Sequence, residues 1–184
     1  LLVATMIFDA KPRRHIDVGS RIDGFVAHVA SYRTIEVIDI RPMKVSKHKN
    51  IKFIQANLMN PQNLGKTDSL SCLHAIEHFG LGRYDDPIDV DGHLKGLKNL
   101  ISLLEINGLM YISFPVGDSD QIHFNEQRVF HPKSILEFEI IKNKLKLIRF
   151  DVIDKNGNLN MKCDIKEINS KNLSLGIYTF QRFI

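Results

Sequence analysis

The sequence has few cysteines, no long apolar run and no glycine-rich loop of a standard kind, and each absence narrows what the chain can be. Its two cysteines, Cys72 and Cys163, stand far apart in unlike surroundings. That leaves no disulfide framework and no C-x-x-C metal pair, and a reducing, cytoplasmic setting is the expectation. The N-terminal LLVATMIF is too short to cross a membrane and lacks the basic start and small-residue cleavage site of a secretory leader. It begins without methionine and already reads as a helix, so a segment is expected to precede it. The net charge of +4 and pI near 9.0 arise from lysines scattered along the chain. A basic run interleaved with aromatics, of the kind that tracks a phosphate backbone, is missing, and no nucleic-acid or membrane partner is expected. Internal repeats and low-complexity linkers are missing too. A chain of 184 residues with 43% hydrophobic content suits a single domain over 1–184 with one sizeable core.

What is present is a rhythm of short apolar runs: HIDV ending at Val18, IEVID ending at Asp39, IKFIQ ending at Gln55, SLSCL ending at Leu73 and LMYISF ending at Phe114. Runs of this length bounded by turn signals suit strands buried on both faces. DGFVAHVASY, between the first two, reads as a helix. HLKGLKNLISLLEING, between the fourth and fifth, carries Leu94, Leu97, Ile101 and Leu104 at helical spacing, with Asp91 placed to cap its start and Asn107-Gly108 to end it. Beyond HPKSILEFEIIKN, where Pro132 suits a first helical turn, LKLIRFDVID and LSLGIYTFQRF flank the turn-prone KNGNLNMKCDIKEINSKN and can pair as an antiparallel hairpin. The pattern predicts an α/β fold: a doubly wound, mostly parallel seven-stranded sheet with a C-terminal antiparallel strand pair.

The first strand-to-helix turn lies in HIDVGSRIDGF. Gly19 to Gly24 spans G-x-x-x-x-G, but Phe25 and Val26 follow where a phosphate loop needs Lys and Ser or Thr, and G-x-G-x-x-G is absent. Readings as an ATP, GTP or NAD site therefore weaken. What remains is Asp17, two positions before Gly19, and a second acid, Asp39, ending the next strand in VIDI. Each alone reads equally well as a capping, turn or solvated residue. Standing on successive strand ends they gain weight, because ligands of open α/β sheets bind at the carboxyl ends of the strands.

This order of elements, with HIDVGSRIDGF and VIDI, resembles the class I S-adenosylmethionine-dependent methyltransferase family over nearly the whole chain from His15 on. The resemblance implies a Rossmann-like fold and S-adenosylmethionine as cofactor. It implies Asp17 and Gly19 around the methionine part, and Asp39 on the ribose. FIQANLMNP puts Asn57 where the family usually has an aspartate near the adenine amino group, with Leu58 beside it; an asparagine carbonyl still accepts from an amine. DSLSCLHAIEHFG places Leu73 and His74 at the mouth of the cofactor pocket. Arg21 and Asp23 stand where the family has glycines, which leaves Ser20 and Asp23 as polar cofactor contacts. EHFGLGRYDDP is also similar to a segment of an uncharacterised family of methyltransferase-like proteins, several associated with surface-sugar biosynthesis. It implies a small-molecule or saccharide acceptor and a place in polysaccharide biosynthesis.

FGLGRYDDPIDVDGH is rich in carboxylates and poor in apolar residues, the marks of a long surface loop hanging over the fourth strand end, or of a merely solvated loop with Asp91 capping a helix. In FPVGDSDQIHFNEQRVF, His123, Asn125 and Arg128 either line the far wall of an acceptor site or join strand to helix. HAIEH also fits the H-x-x-E-H zinc pattern, in which His74 and His78 share a metal and Glu77 is the base. That reading needs a third ligand, and Gly80 and Gly82 stop the helix almost at once, so no metal is expected. Methyl transfer is an in-line displacement that depends chiefly on placement. A sugar hydroxyl also needs a general base, for which His78 is the candidate, with Glu77 or Asp85 as its orienting partner. Cys72 lies in an apolar strand and reads as packing rather than as a nucleophile. The expected function is S-adenosylmethionine-dependent O-methyl transfer. The alternative is a non-catalytic, degenerate methyltransferase fold serving as a binding or scaffold module, motivated by Arg21 and Asp23.

Overall fold

The computed structural model describes residues 1–43, 47–123 and 125–184. The strands are β1 His15–Val18, β2 Ile35–Asp39, β3 Ile51–Gln55, β4 Thr67–Leu73, β5 Leu104–Pro115, β6 Gln121–His123, β7 Gln127–Val129, β8 Leu145–Asp154, β9 Leu159–Asn160 and β10 Leu173–Arg182. The helices are α1 Leu2–Ala10, α2 Phe25–Ala30, α3 Gly92–Leu103, α4 Ser134–Glu137 and α5 Glu139–Lys144. The main sheet runs β3-β2-β1-β4-β5-β10-β8-β9. Neighbours from β3 to β5 are parallel, and β10 runs antiparallel to both β5 and β8. The five parallel strands and the C-terminal pair therefore stand where the apolar runs put them. Among the described residues no helix is long and apolar enough to cross a membrane.

Three expectations need correction. The sheet has eight strands, not seven, because Leu159–Asn160 folds back onto Val152 and Ile153. Asp154 makes that reversal: Oδ1 accepts from the backbone N–H groups of Asn156 and Asn158, an Asx turn inside the segment read as a plain polar connection. Next, α3 ends at Leu103 and β5 begins at Leu104, so Asn107-Gly108 falls inside a strand. Asn107, at φ +66°, makes an irregularity where the β4 pairing jumps from Leu104 to Leu109. Last, the winding is incomplete. Helices cover both faces, but among the described residues none lies between β2 and β3 or between β3 and β4.

On one face Val3, Ile7, Val26 and Val29 of α1 and α2 pack with Ile35, Val37, Tyr111 and Ile177. On the other, Leu97 and Leu100 of α3 and Ile141 of α5 pack with Leu70, Cys72, Met110 and Phe150. Cys72 is wholly buried, as expected of a packing residue, and burial pushes its thiol up.

Strand alternation gives β1 and β4 an unusual inner face. Ile16, Val18, Leu70 and Cys72 share the α3 side, so His15, Asp17, Ser69 and Ser71 point the other way, all fully buried. Ser71 Oγ donates to Asp17 Oδ1. It must then accept from His15 Nε2, 3.1 Å away, and His15 Nδ1 accepts from the Ser69 hydroxyl at 2.8 Å. This arrangement suits a neutral imidazole, and burial keeps it neutral by holding the His15 pKa down at about 3.

This sets a pH dependence. A histidine titrating at about 3 when folded and near 6.5 when unfolded takes up its proton on unfolding throughout the window between, so stability is lost as pH falls below about 6.5. His15 should cost about 2 kcal/mol between pH 7 and pH 5. Asp17, raised to about 6 by burial, works in the opposite sense and offsets part of this loss. Urea unfolding at the two pH values, compared with His15→Asn, isolates the histidine: the variant should lose markedly less stability on acidification.

Candidate active site

A cleft open to solvent lies at the carboxyl ends of β1 to β4. That is the place where open α/β sheets bind ligands. Its floor is the β1 turn. Gly19 has φ +82°, and a Cβ there would stand 2.5 Å from Ala75 Cβ. Only glycine permits the β1 and β4 turns to meet this closely. The walls are Asp39 and Arg41 after β2, Asn57 to Met59 after β3, and His74, His78, Phe79, Tyr84 and Asp86 after β4.

Asp39, only 2% of its side chain exposed, is held by one neighbour. Arg41 donates its backbone N–H and Nε–H to Oδ1, at 2.8 and 2.9 Å, and Nη2 to Oδ2 at 2.6 Å. Asn57 Oδ1 accepts from Met59 N–H at 2.9 Å and keeps a second lone pair for a ligand donor. Leu58 is buried and its carbonyl accepts from Asn99.

The structure brings Gly19, Asp39, Asn57, Leu58 and His74 together in the wall but leaves four expected contacts outside it. Asp17 lies beneath the turn. Burial pushes its carboxyl up to about 6, opposed by the hydroxyls of Ser71 and Ser20 and the Ser20 backbone N–H. Ser20 likewise lies outside the cleft wall. Asp23 pairs with Arg21 at 3.2 Å, both exposed to solvent. Leu73 follows the β4 alternation onto the α1–α2 side, where it packs with that core.

On the far side, Ile76–His78 forms a single 3₁₀ turn. His78 Nδ1 is 2.6 Å from the Glu126 carbonyl. A carbonyl only accepts, so Nδ1 carries the proton and Nε2 presents a lone pair. Nε2 lies 3.8 Å from Oε1 of Glu77, whose side chain is wholly buried. The same oxygen lies 3.1 Å from His74 Nδ1, while Oε2 has no hydrogen-bond partner among the described residues. His74 stands at φ +53°, before the turn, so the two histidines do not share a helical face. Among the described residues no group of three or more His, Cys, Asp or Glu is placed to hold a metal.

The loop after Glu77 is built inwards rather than merely solvated. Asp86 accepts from Gly80 N–H at 2.6 Å and Tyr84 N–H at 3.1 Å. Asp85, at φ +61°, is exposed and outside the cleft, where Asp86 lines the wall instead. Arg128 is not an acceptor-wall residue either. Buried to 2% exposure, it donates to the Phe79 carbonyl at 2.6 Å and the Val90 carbonyl at 3.1 Å, clamping both ends of the loop from behind. His123 and Asn125 lie on the exposed β6–β7 hairpin, Asn125 in its turn at φ +55°. Arg41, Met59, Phe79, Tyr84 and Asp86 line the wall without having been anticipated as site residues. Arg41 has only its i+2 spacing from Asp39 as a signal, and Tyr84 only its position as an aromatic among polar loop residues.

The whole chain superposes on solved methyltransferases. The N-methyltransferase NodS from Bradyrhizobium japonicum WM9 is 10% identical, with a TM-score of 0.66 over 100% of this chain and 96% of its own. An S-adenosylmethionine-dependent methyltransferase from Clostridium acetobutylicum ATCC 824 also gives 0.66 at 10% identity, over 99% of this chain and 89% of its own. The 1,6-didemethyltoxoflavin-N1-methyltransferase of Burkholderia thailandensis, solved with 1,6-didemethyltoxoflavin and S-adenosylhomocysteine, gives 0.63 at 13% identity, over 99% and 77% respectively. The fold is that of S-adenosylmethionine-dependent methyltransferases. No curated protein matches the sequence. A family profile described as "Caenorhabditis protein of unknown function, DUF268" matches residues 34–141, more than half of the chain.

Arg128→Met should leave the Phe79 and Val90 carbonyls without their donor, at a cost of about 1–3 kcal/mol. The expected result is faster amide exchange confined to residues 79–91, with β1, β4 and β5 still protected. Unchanged exchange there would show that Arg128 does not hold the loop.

Proposed function

The chain belongs to the DUF268 family, and we propose that it is an S-adenosylmethionine-dependent methyltransferase acting on a small or saccharide acceptor, at a hydroxyl. The observation that carries this reading is the convergence of Gly19, Asp39, Asn57, Leu58 and His74 in one cleft at the strand ends of a methyltransferase fold. The residues fit the cofactor. Asp39 offers carboxylate oxygens to a ribose diol, Asn57 an amide to an adenine edge, and Ile38, Leu58, Met59 and Phe79 an apolar slot for the ring. When bound, S-adenosylmethionine supplies a methyl group activated by its sulfonium.

The chain's own task is placement and proton removal. His78 is anchored through Nδ1–H, which leaves Nε2 to accept a proton from an acceptor hydroxyl. Oε1 of the buried Glu77 lies 3.8 Å from that nitrogen, facing the imidazolium that then forms. The loop clamped by Arg128 borders this side of the cleft with Tyr84 and Asp86. A cytoplasmic place in polysaccharide biosynthesis belongs to the same proposal. The second reading, a scaffold module, draws support from the Arg21–Asp23 pair in the β1 turn and from the hold of Arg41 on Asp39.

Calorimetric titration with S-adenosylmethionine and S-adenosylhomocysteine separates the two. Micromolar binding is expected, weakened about tenfold or more by Asp39→Ala, the loss of hydrogen bonds to a charged group. Absence of heat with both ligands would favour the scaffold. With an acceptor in hand, His78→Ala should lower kcat about 100-fold or more and leave the affinity for S-adenosylhomocysteine unchanged; undiminished turnover would remove His78 from the mechanism.

A further inference from the structure

The carboxylate best placed for the cofactor is already engaged. A carboxylate offers about four lone-pair sites. Arg41 fills three on Asp39, through its backbone N–H, Nε and Nη2. A ribose diol needs two sites and, among the described residues, one is left. The backbone N–H cannot leave without unmaking the turn after β2, so the bond that yields must come from the guanidinium.

The guanidinium is also held from outside. Its carbon lies 4.5 Å from the centre of the Tyr84 ring, and Nη2 is 3.4 Å from the Gly19 carbonyl. Tyr84 in turn packs edge-on against His78, with ring centres 5.4 Å apart. Asp39, Arg41, Tyr84 and His78 thus form an unbroken row along the cleft from the ribose-side acid to the candidate base, and all four line it. A third of the Arg41 side chain is exposed, which gives the guanidinium somewhere to go.

We propose that Arg41 is a built-in competitor for the cofactor's ribose: it occupies Asp39 in the free protein, must give up a guanidinium bond to it when the cofactor binds, and so sets the affinity of the site. The proposal rests on the cofactor reading above. Oδ1 already holds two bonds and Oδ2 one, so a diol that spans both oxygens displaces Nε, and Asp39 then holds the Arg41 backbone N–H, Nη2 and two ribose hydroxyls. The guanidinium, freed at Nε, stays beside Tyr84, at the edge of the acceptor side. An ordinary diol-binding acid, with no such partner, would bind more tightly.

The test is calorimetric titration of the full chain and of Arg41→Gln with S-adenosylhomocysteine. Arg41→Gln should bind about fivefold more tightly, the factor expected when one partly exposed ion pair no longer competes. Equal or weaker binding overturns the proposal. A second readout needs only the unaltered chain: the Arg41 Nε–H resonance should exchange slowly with water in the free protein and rapidly at saturating S-adenosylhomocysteine. A resonance unmoved at saturation overturns the proposal even if the variant fails to fold. If neither protein gives heat, the cofactor reading falls and takes this inference with it; if both bind equally, only the role of Arg41 falls.

Discussion

The ligand end depends on a strand that is buried on both faces and yet carries two polar side chains on one of them. Desolvating His15 and Asp17 is unfavourable, and the structure offsets it with Ser69 and Ser71 on the neighbouring strand. Side-chain bonds thus reinforce the parallel pairing of β1 with β4, which aligns His15 with Ser69 and Asp17 with Ser71. A slip of one residue would place the two serines against apolar side chains and leave a carboxyl unbonded in the interior. With that register held, Gly19 and Ala75 meet at the strand ends, and the cleft has its floor.

The walls follow a different logic, in which charged groups are used up locally. Asp86 is spent on two N–H groups of its own loop, Arg128 on two carbonyls, and Asp39 on Arg41. The loop from Phe79 to Val90 consequently has an inside and an outside. Gly80 marks how tight the inside is, since a Cβ there would stand 2.0 Å from the Asp89 carbonyl oxygen. A loop so tied presents Tyr84 and His78 to the cleft in a defined way, which placement-dominated chemistry requires.

Neutral hydrogen bonds and charged ones divide the labour. Beneath the cleft, His15 is kept neutral and its bonds serve register; within the cleft, Asp39 and Arg41 meet as a charged pair near solvent. A buried network resists rearrangement because each broken bond leaves an unpaired polar atom. A part-exposed ion pair rearranges readily because water replaces either partner. The rigid part lies under the ligand and the exchangeable part beside it.

The sequence alone determined the alternation of strands and helices, the antiparallel C-terminal pair, and the acids and glycine at successive strand ends. Those features are written in local periodicity and turn chemistry, which act between residues close in the chain. The tertiary structure decided the rest. Leu73 turns from the cleft because the alternation of β4 is phased by which face packs on α3, and not by its nearness to His74. Arg128 becomes a clamp because folding brings β7 to a carbonyl 49 positions earlier in the chain. Asp86 rather than Asp85 faces the cleft because it is Asp86 whose carboxylate the folded loop ties to the Gly80 and Tyr84 N–H groups. Asp39 was recognisable as a ligand-binding acid, but its partner Arg41 was not: which donor takes a carboxylate's lone pairs depends on distances that exist only after the chain has folded.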